Sequence, residues 1–122
     1  MHSWTFPKSS RLLTSAQYQR IFQQSAFKVG HRYFLILAST NTQPQARLGL
    51  VVGKKHCRLA VGRNRLKRLI RETFRHWQHH LQGIDAIVLP RSGADQLANR
   101  ELLKILNQQW QKLAEQSQGS KP

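Results

Sequence analysis

Three histidines, His76, His79 and His80, stand within five residues, and His76 with His80 has the i, i+4 spacing that can present two imidazoles to one zinc ion. Two histidines and a lysine could also serve as acid, base and charge stabiliser in metal-independent RNA cleavage. No cysteine pair and no HExxH completes a zinc set. Two-metal phosphodiester hydrolysis needs several carboxylates converging on ions about 4 Å apart. The only acids are Glu72, Asp85, Asp95, Glu101 and Glu115, spread over four predicted elements. That supply is poor, so the sequence assigns no catalytic residue and no metal ligand. Cys57 stands near Lys54, Lys55 and Arg58, which would favour a thiolate. A small, half-buried residue is the simpler reading.

What the chain has in plenty is positive charge. Twenty Lys and Arg face five Asp and Glu, a formal +15 with a pI near 11.6. Nine of those cations lie between Lys54 and Arg75, and RNRLKRLIRETFR, 63 to 75, holds six of them with one carboxylate, Glu72. Self-repulsion of that size points to an anionic partner: RNA, DNA or an acidic membrane surface. Arginine suits phosphate because its planar fork meets two oxygens at once.

At about 100° per residue, Leu66, Leu69, Ile70, Phe74, Trp77 and Leu81 fall within an arc of roughly 140°, with Thr73 among them. Arg63, Asn64, Lys67 and Arg71 adjoin one edge of that arc, with Arg75 just beyond. Arg65 and Arg68 project further round, towards Glu72. A solvated charged face would mix signs at i, i+4; here Glu72 can pair with Arg68 or His76, and no other carboxylate is available. A membrane-surface helix would need its apolar face free for lipid, whereas here the neighbouring strands need that face as cover.

Those strands and helices are legible. Residues 1 to 13 read as an extended arm. Thr14 and Gln17 match a capping box, with Leu13 set to pack on Tyr18 as a staple, and Tyr18, Ile21 and Phe22 share one face of a short helix. RYFLILAS (32–39) and RLGLVVG (47–53) read as strands, joined as a hairpin through NTQPQA. KKHCRLAVG (54–62) is a basic connection, DAIVLP (85–90) a third strand, and RSGADQLAN a loop. Residues 100 to 116 align Leu102, Leu103, Leu106, Trp110 and Leu113 on one helical face, and 116–122 read as a disordered tail. The longest apolar run, FLILA, is five residues, and MHSWTFPKSS lacks a signal peptide's apolar stretch. With one cysteine and no internal disulfide, the expectation is a soluble cytoplasmic protein. It is a single α+β domain, 1–122, with an ordered core of about 6–115 and helices covering an open sheet.

RLLTSAQYQRIF, RLGLVVGKK, RNRLKRLIRETFR and DAIVLPRSG, followed by a leucine-rich helix, resemble the protein subunit of bacterial ribonuclease P over about residues 6 to 115. The RNR-x-KR-x-x-RE-x-FR string, following G-KK, is highly specific. The resemblance implies a layered αβββαβα sandwich on a mixed four-stranded sheet with a left-handed crossover. It implies binding to a catalytic RNA, which holds most of the Mg²⁺ and breaks the bond, and to precursor tRNA, whose 5′ leader is removed. Carried over by position, the leader site is Tyr18, Phe22, Leu37 (where the family often has an aromatic), Arg63, Asn64, Lys67 and Arg71. The catalytic RNA meets Lys54, Lys55, Arg58, Arg65, Arg68 and Arg75. No membrane and no stable protein partner is expected. From the residues alone, Tyr18 and Phe22 could equally be core. A ribosomal-type RNA-binding module without a part in catalysis is the alternative function.

Overall fold

The chain is described by a computed structural model covering residues 10–12 and 14–119. The Thr14 side chain caps α1 (Ser15–Gln23): its hydroxyl accepts from the Gln17 N–H at 3.2 Å, and Gln17 Oε1 accepts from the Thr14 N–H at 3.1 Å. Both halves of the capping box are therefore made. The staple expected of Leu13, most of the extended arm and residues 120–122 lie outside the described residues.

Four strands follow: β1 (Phe27–Gly30), β2 (Phe34–Thr40), β3 (Arg47–Leu50) and β4 (Ile84–Pro90). Their spatial order is β1-β2-β4-β3, antiparallel except for the parallel β3–β4 pair. The expected hairpin of β2 with β3 is thus not formed, because β4 lies between them. β4 is the reason: all its residues but Leu89 are buried, so it must be central. The 41–46 connection instead straddles the start of β4, where the Asn41 N–H donates to Gly83 O at 2.7 Å. β1, unmarked in the sequence reading, buries only Val29 fully.

Alternation along the strands makes two cores. Phe34, Ile36, Ala38, Ala86 and Val88 face α2 (Ala60–Trp77) and α3 (Asn99–Gly119). Ile87 faces the other way, joining Leu12 and Ile21 with Tyr18, Leu37 and Leu89 at the margin. On α2, Leu66, Leu69, Ile70, Thr73 and Phe74 are buried as the helical wheel requires, and Trp77 is half-buried. The Trp110 indole of α3 donates to Thr73 Oγ1 at 2.9 Å and meets the Phe74 ring edge-on, 5.4 Å between centroids. Gln109, also buried, donates to Val29 O and Phe34 O, tying α3 to the β1–β2 turn.

Two helix ends differ from expectation. α2 begins at Ala60, three residues before the RNR string, and α3 continues to Gly119 through what the sequence suggested as a disordered tail. Ala114 and Ser117, three apart, carry the buried face of α3 beyond Leu113. No helix among the described residues is long and apolar enough to cross a membrane.

Candidate nucleic-acid interface

Because β3 is an edge strand, α1 and α2, on opposite faces of the sheet, look at each other across it. Residues 10–12 run along that edge: Arg11 bridges Leu48 in parallel, and the Leu12 N–H donates to Leu48 O at 3.0 Å. Between them and α2 lies a groove of about 180 Å³ lined by Arg11, Leu12, Tyr18, Leu48, Leu50, Lys67 and Arg71. Tyr18 is fixed in it, its hydroxyl accepting from the Leu50 N–H at 3.2 Å. Gly49 permits this, since a Cβ there would stand 2.8 Å from both the Tyr18 ring and Leu12 Cδ1. Strand glycines mark such close approaches.

The residues carried over for the leader are only partly gathered. Tyr18, Lys67 and Arg71 share the groove. Leu37 borders the small core behind Tyr18, and Phe22, 45 % exposed, stands on the same helix as Tyr18. Arg63 is turned back on the connection before α2, donating to Cys57 O at 3.0 Å and Arg58 O at 2.8 Å. Asn64 faces a different groove, about 590 Å³, with Leu59, Val61, Arg65 and Arg68 among its walls.

The second set of cations also divides. Lys54, Lys55 and Arg58 are exposed on the turn after β3. Arg68 is exposed and only loosely paired with Glu72, 3.8 Å away, a surface pair of little energetic weight. Arg75 is half-buried. Arg65 is a clamp: it donates to Leu97 O (2.9 Å), Asn99 Oδ1 (2.7 Å) and Asp95 O (2.8 Å), fastening the start of α3 to α2.

Cys57 is buried against Gly62, and burial, with Asp95 adding to it, pushes the thiol pKa up. The cations beside it in sequence therefore do not make it a thiolate. Asp85 is committed to structure, receiving Arg47 through both carboxylate oxygens (2.8 and 2.7 Å) and the Asn41 amide (2.6 Å). Among the described residues no three His, Cys, Asp or Glu side chains are grouped to hold a metal ion. Two residues that shape the groove escaped the sequence reading, Arg11 in its wall and Gly49 beneath Tyr18. A cation beside a leucine before the helix and a glycine inside an apolar strand were their only signals.

A basic α+β domain that sets an aromatic and cations on one groove has the form of a single-strand nucleic-acid-binding protein. The ribonuclease P family model matches residues 6–114. A ribonuclease P protein component of Marinobacter nauticus is 49 % identical over 122 residues, spanning all of this chain and 92 % of that protein. That of Vibrio parahaemolyticus is 44 % identical over 119 residues, 98 % of this chain and all of that one. Among solved structures, a Staphylococcus aureus RNase P protein mutant with defective mRNA degradation activity superposes with a TM-score of 0.80. It is 31 % identical, with 87 % of this chain and 89 % of that one covered. The chain belongs to the ribonuclease P protein family.

Gly49→Ala should push Tyr18 and Leu12 aside and cost about 1–3 kcal/mol in urea unfolding; unchanged stability would refute the close packing. Arg65→Ala should also cost about 1–3 kcal/mol, whereas Arg71→Ala, exposed on α2, should stay within about 0.5 kcal/mol of the parent. Equal losses for Arg65→Ala and Arg71→Ala would contradict the division between clamp and free cation.

Proposed function

We propose that the chain grips the 5′ leader of precursor tRNA in the groove between Tyr18 and the Lys67–Arg71 face of α2, while the RNA subunit breaks the bond. Members of this family are the protein component of ribonuclease P, a ribonucleoprotein endoribonuclease that matures tRNA 5′ ends. The finer reading is carried by one observation: Tyr18 from α1 and Lys67 and Arg71 from α2 line one groove. An aromatic beside cations is what sequence-tolerant single-strand binding requires, stacking contributing about 1–3 kcal/mol per base. Phe22 and Leu37 extend the apolar surface next to Tyr18. Lys54, Lys55, Arg58 and Arg68 lie exposed to meet the catalytic RNA, with Arg75 nearer the far end of α2. Arg63 and Arg65 act mainly by shaping the surface.

Mg²⁺ belongs with the RNA in this reading, since the described acids are scattered or, like Asp85, committed to other partners. The protein's part is electrostatic: its cations screen phosphate repulsion and favour the precursor, which has a leader, over the product, which has none. A buried lone thiol accords with a reducing cytoplasm.

Reconstitution tests this. At low Mg²⁺, the RNA subunit with this chain should process precursor tRNA where RNA alone is slow, and the chain alone should leave the 5′ end intact. The chain should also raise affinity for precursor more than for mature tRNA. Processing that is indifferent to the protein would overturn the reading, as would binding that ignores the leader, the behaviour of a general RNA-binding module. The contrasting outcome is cleavage by the protein alone, abolished by substitution of His76 or His80.

A further inference from the structure

A second hollow, of about 320 Å³, is lined by residues that neighbour the groove's walls in sequence; its polar lining is Ser10, Gln45, Gln78, His79 and Gln82, with Pro44 and Ala46 as apolar walls. Ser10 precedes Arg11, Ala46 lies two residues before Leu48, and Gln78 lies seven residues, about 10 Å of helix, beyond Arg71.

The chemistry differs between the two hollows. None of the described residues lining the second is Lys or Arg, so its described lining offers hydrogen bonds in place of fixed cations. Three carboxamides, those of Gln45, Gln78 and Gln82, belong to its lining, each able to donate and accept at once, as the edge of a nucleobase requires.

The walls are built rather than loose. Helix α2 tightens into a 3₁₀ turn at Gln78–His80, and Leu81, which follows it, is buried. Gly83, at φ 77°, turns the chain into β4. The opposite wall hangs on Asn41. Its amide donates to Gln45 O (3.3 Å) and Asp85 Oδ1 (2.6 Å), its carbonyl oxygen accepts from the Gln43 N–H (2.7 Å), and its own N–H is held by Gly83 O. Arg47, paired with Asp85, fixes the start of β3 beside it.

We propose that this hollow receives one unpaired nucleobase of an RNA strand whose phosphates lie along Lys67 and Arg71, its edge read by the carboxamides of Gln78 and Gln82. The inference rests on the reading that the groove binds RNA. The base belongs either to the leader of the precursor or to an unpaired nucleotide of the catalytic RNA; the chemistry is the same, and mapping separates them.

The test uses Gln82→Cys carrying a thiol-linked photo-crosslinker, in the holoenzyme with precursor tRNA; buried Cys57 stays unmodified. Crosslinks should concentrate on one unpaired nucleotide, in the precursor or in the catalytic RNA according to its source. Changing that base should cost the parent about tenfold in affinity. The Gln78→Ala/Gln82→Ala double variant should lose this preference. Crosslinks no denser than from Gln118→Cys, exposed on α3, or spread over paired nucleotides, overturn the proposal. Arg71→Ala separates the two readings. If it weakens every precursor alike while crosslinks stay diffuse, only the base pocket falls. If it weakens none while a single nucleotide is crosslinked, the base pocket stands without the Arg71 phosphate contact, and the leader groove falls.

Discussion

Burial of β4 on both faces is the constraint from which the rest follows. Ala86 and Val88 are sealed under α2 and α3, and Ile87 under α1, all at zero exposure. A strand so apolar has to be flanked on both sides, and β2 and β3 flank it. Because β3 runs parallel to β4, the chain must return the length of the sheet between them, and α2 makes that return beside the β3 edge. The cations of α2 are thereby brought over an edge strand, opposite Tyr18, rather than over the middle of a covered sheet. A hairpin of β2 with β3 would have lost this placement.

Charge is then sorted by what each cation touches. Arg47 answers Asp85, and Arg63 and Arg65 answer backbone carbonyls, so these three hold loops and helix ends. Lys54, Lys55, Arg58, Arg68 and Arg71 stay exposed, and the described carboxylates offer them only the long contact of Arg68 with Glu72. Like charges kept apart from acids weaken the free fold and strengthen association with a polyanion. One chain thus carries two kinds of arginine, and their neighbours tell them apart.

Short-range signals were legible. The Thr14–Gln17 box, the buried arc of α2 and the apolar stripe of α3 depend on residues three or four apart, and each appeared where the pattern put it. Pairing of strands is a long-range property. Nothing within 32–53 reveals that residues 84–90 will enter between its two strands, and FKVG is too short and half-polar to announce β1. Site residues behaved likewise. Periodicity placed Lys67 and Arg71 beside the core edge, and there they line the groove. It could not show that Arg63 curls back to Cys57 O, that Asn64 faces the Arg65–Arg68 side, or that Arg11 closes the groove, since each depends on what tertiary contact brings near. The resemblance to ribonuclease P proteins supplied the partner, which residue patterns alone left as RNA, DNA or an acidic surface.

The central claim is that Lys67 and Arg71 hold phosphates of a single-stranded leader. The salt dependence of precursor-tRNA affinity, compared between the parent holoenzyme and Lys67→Ala and Arg71→Ala, tests it most directly. Each lost contact should flatten the slope of log K against log salt by about 0.7, with no change for mature tRNA. Slopes that match the parent, or that flatten equally for precursor and product, would contradict it.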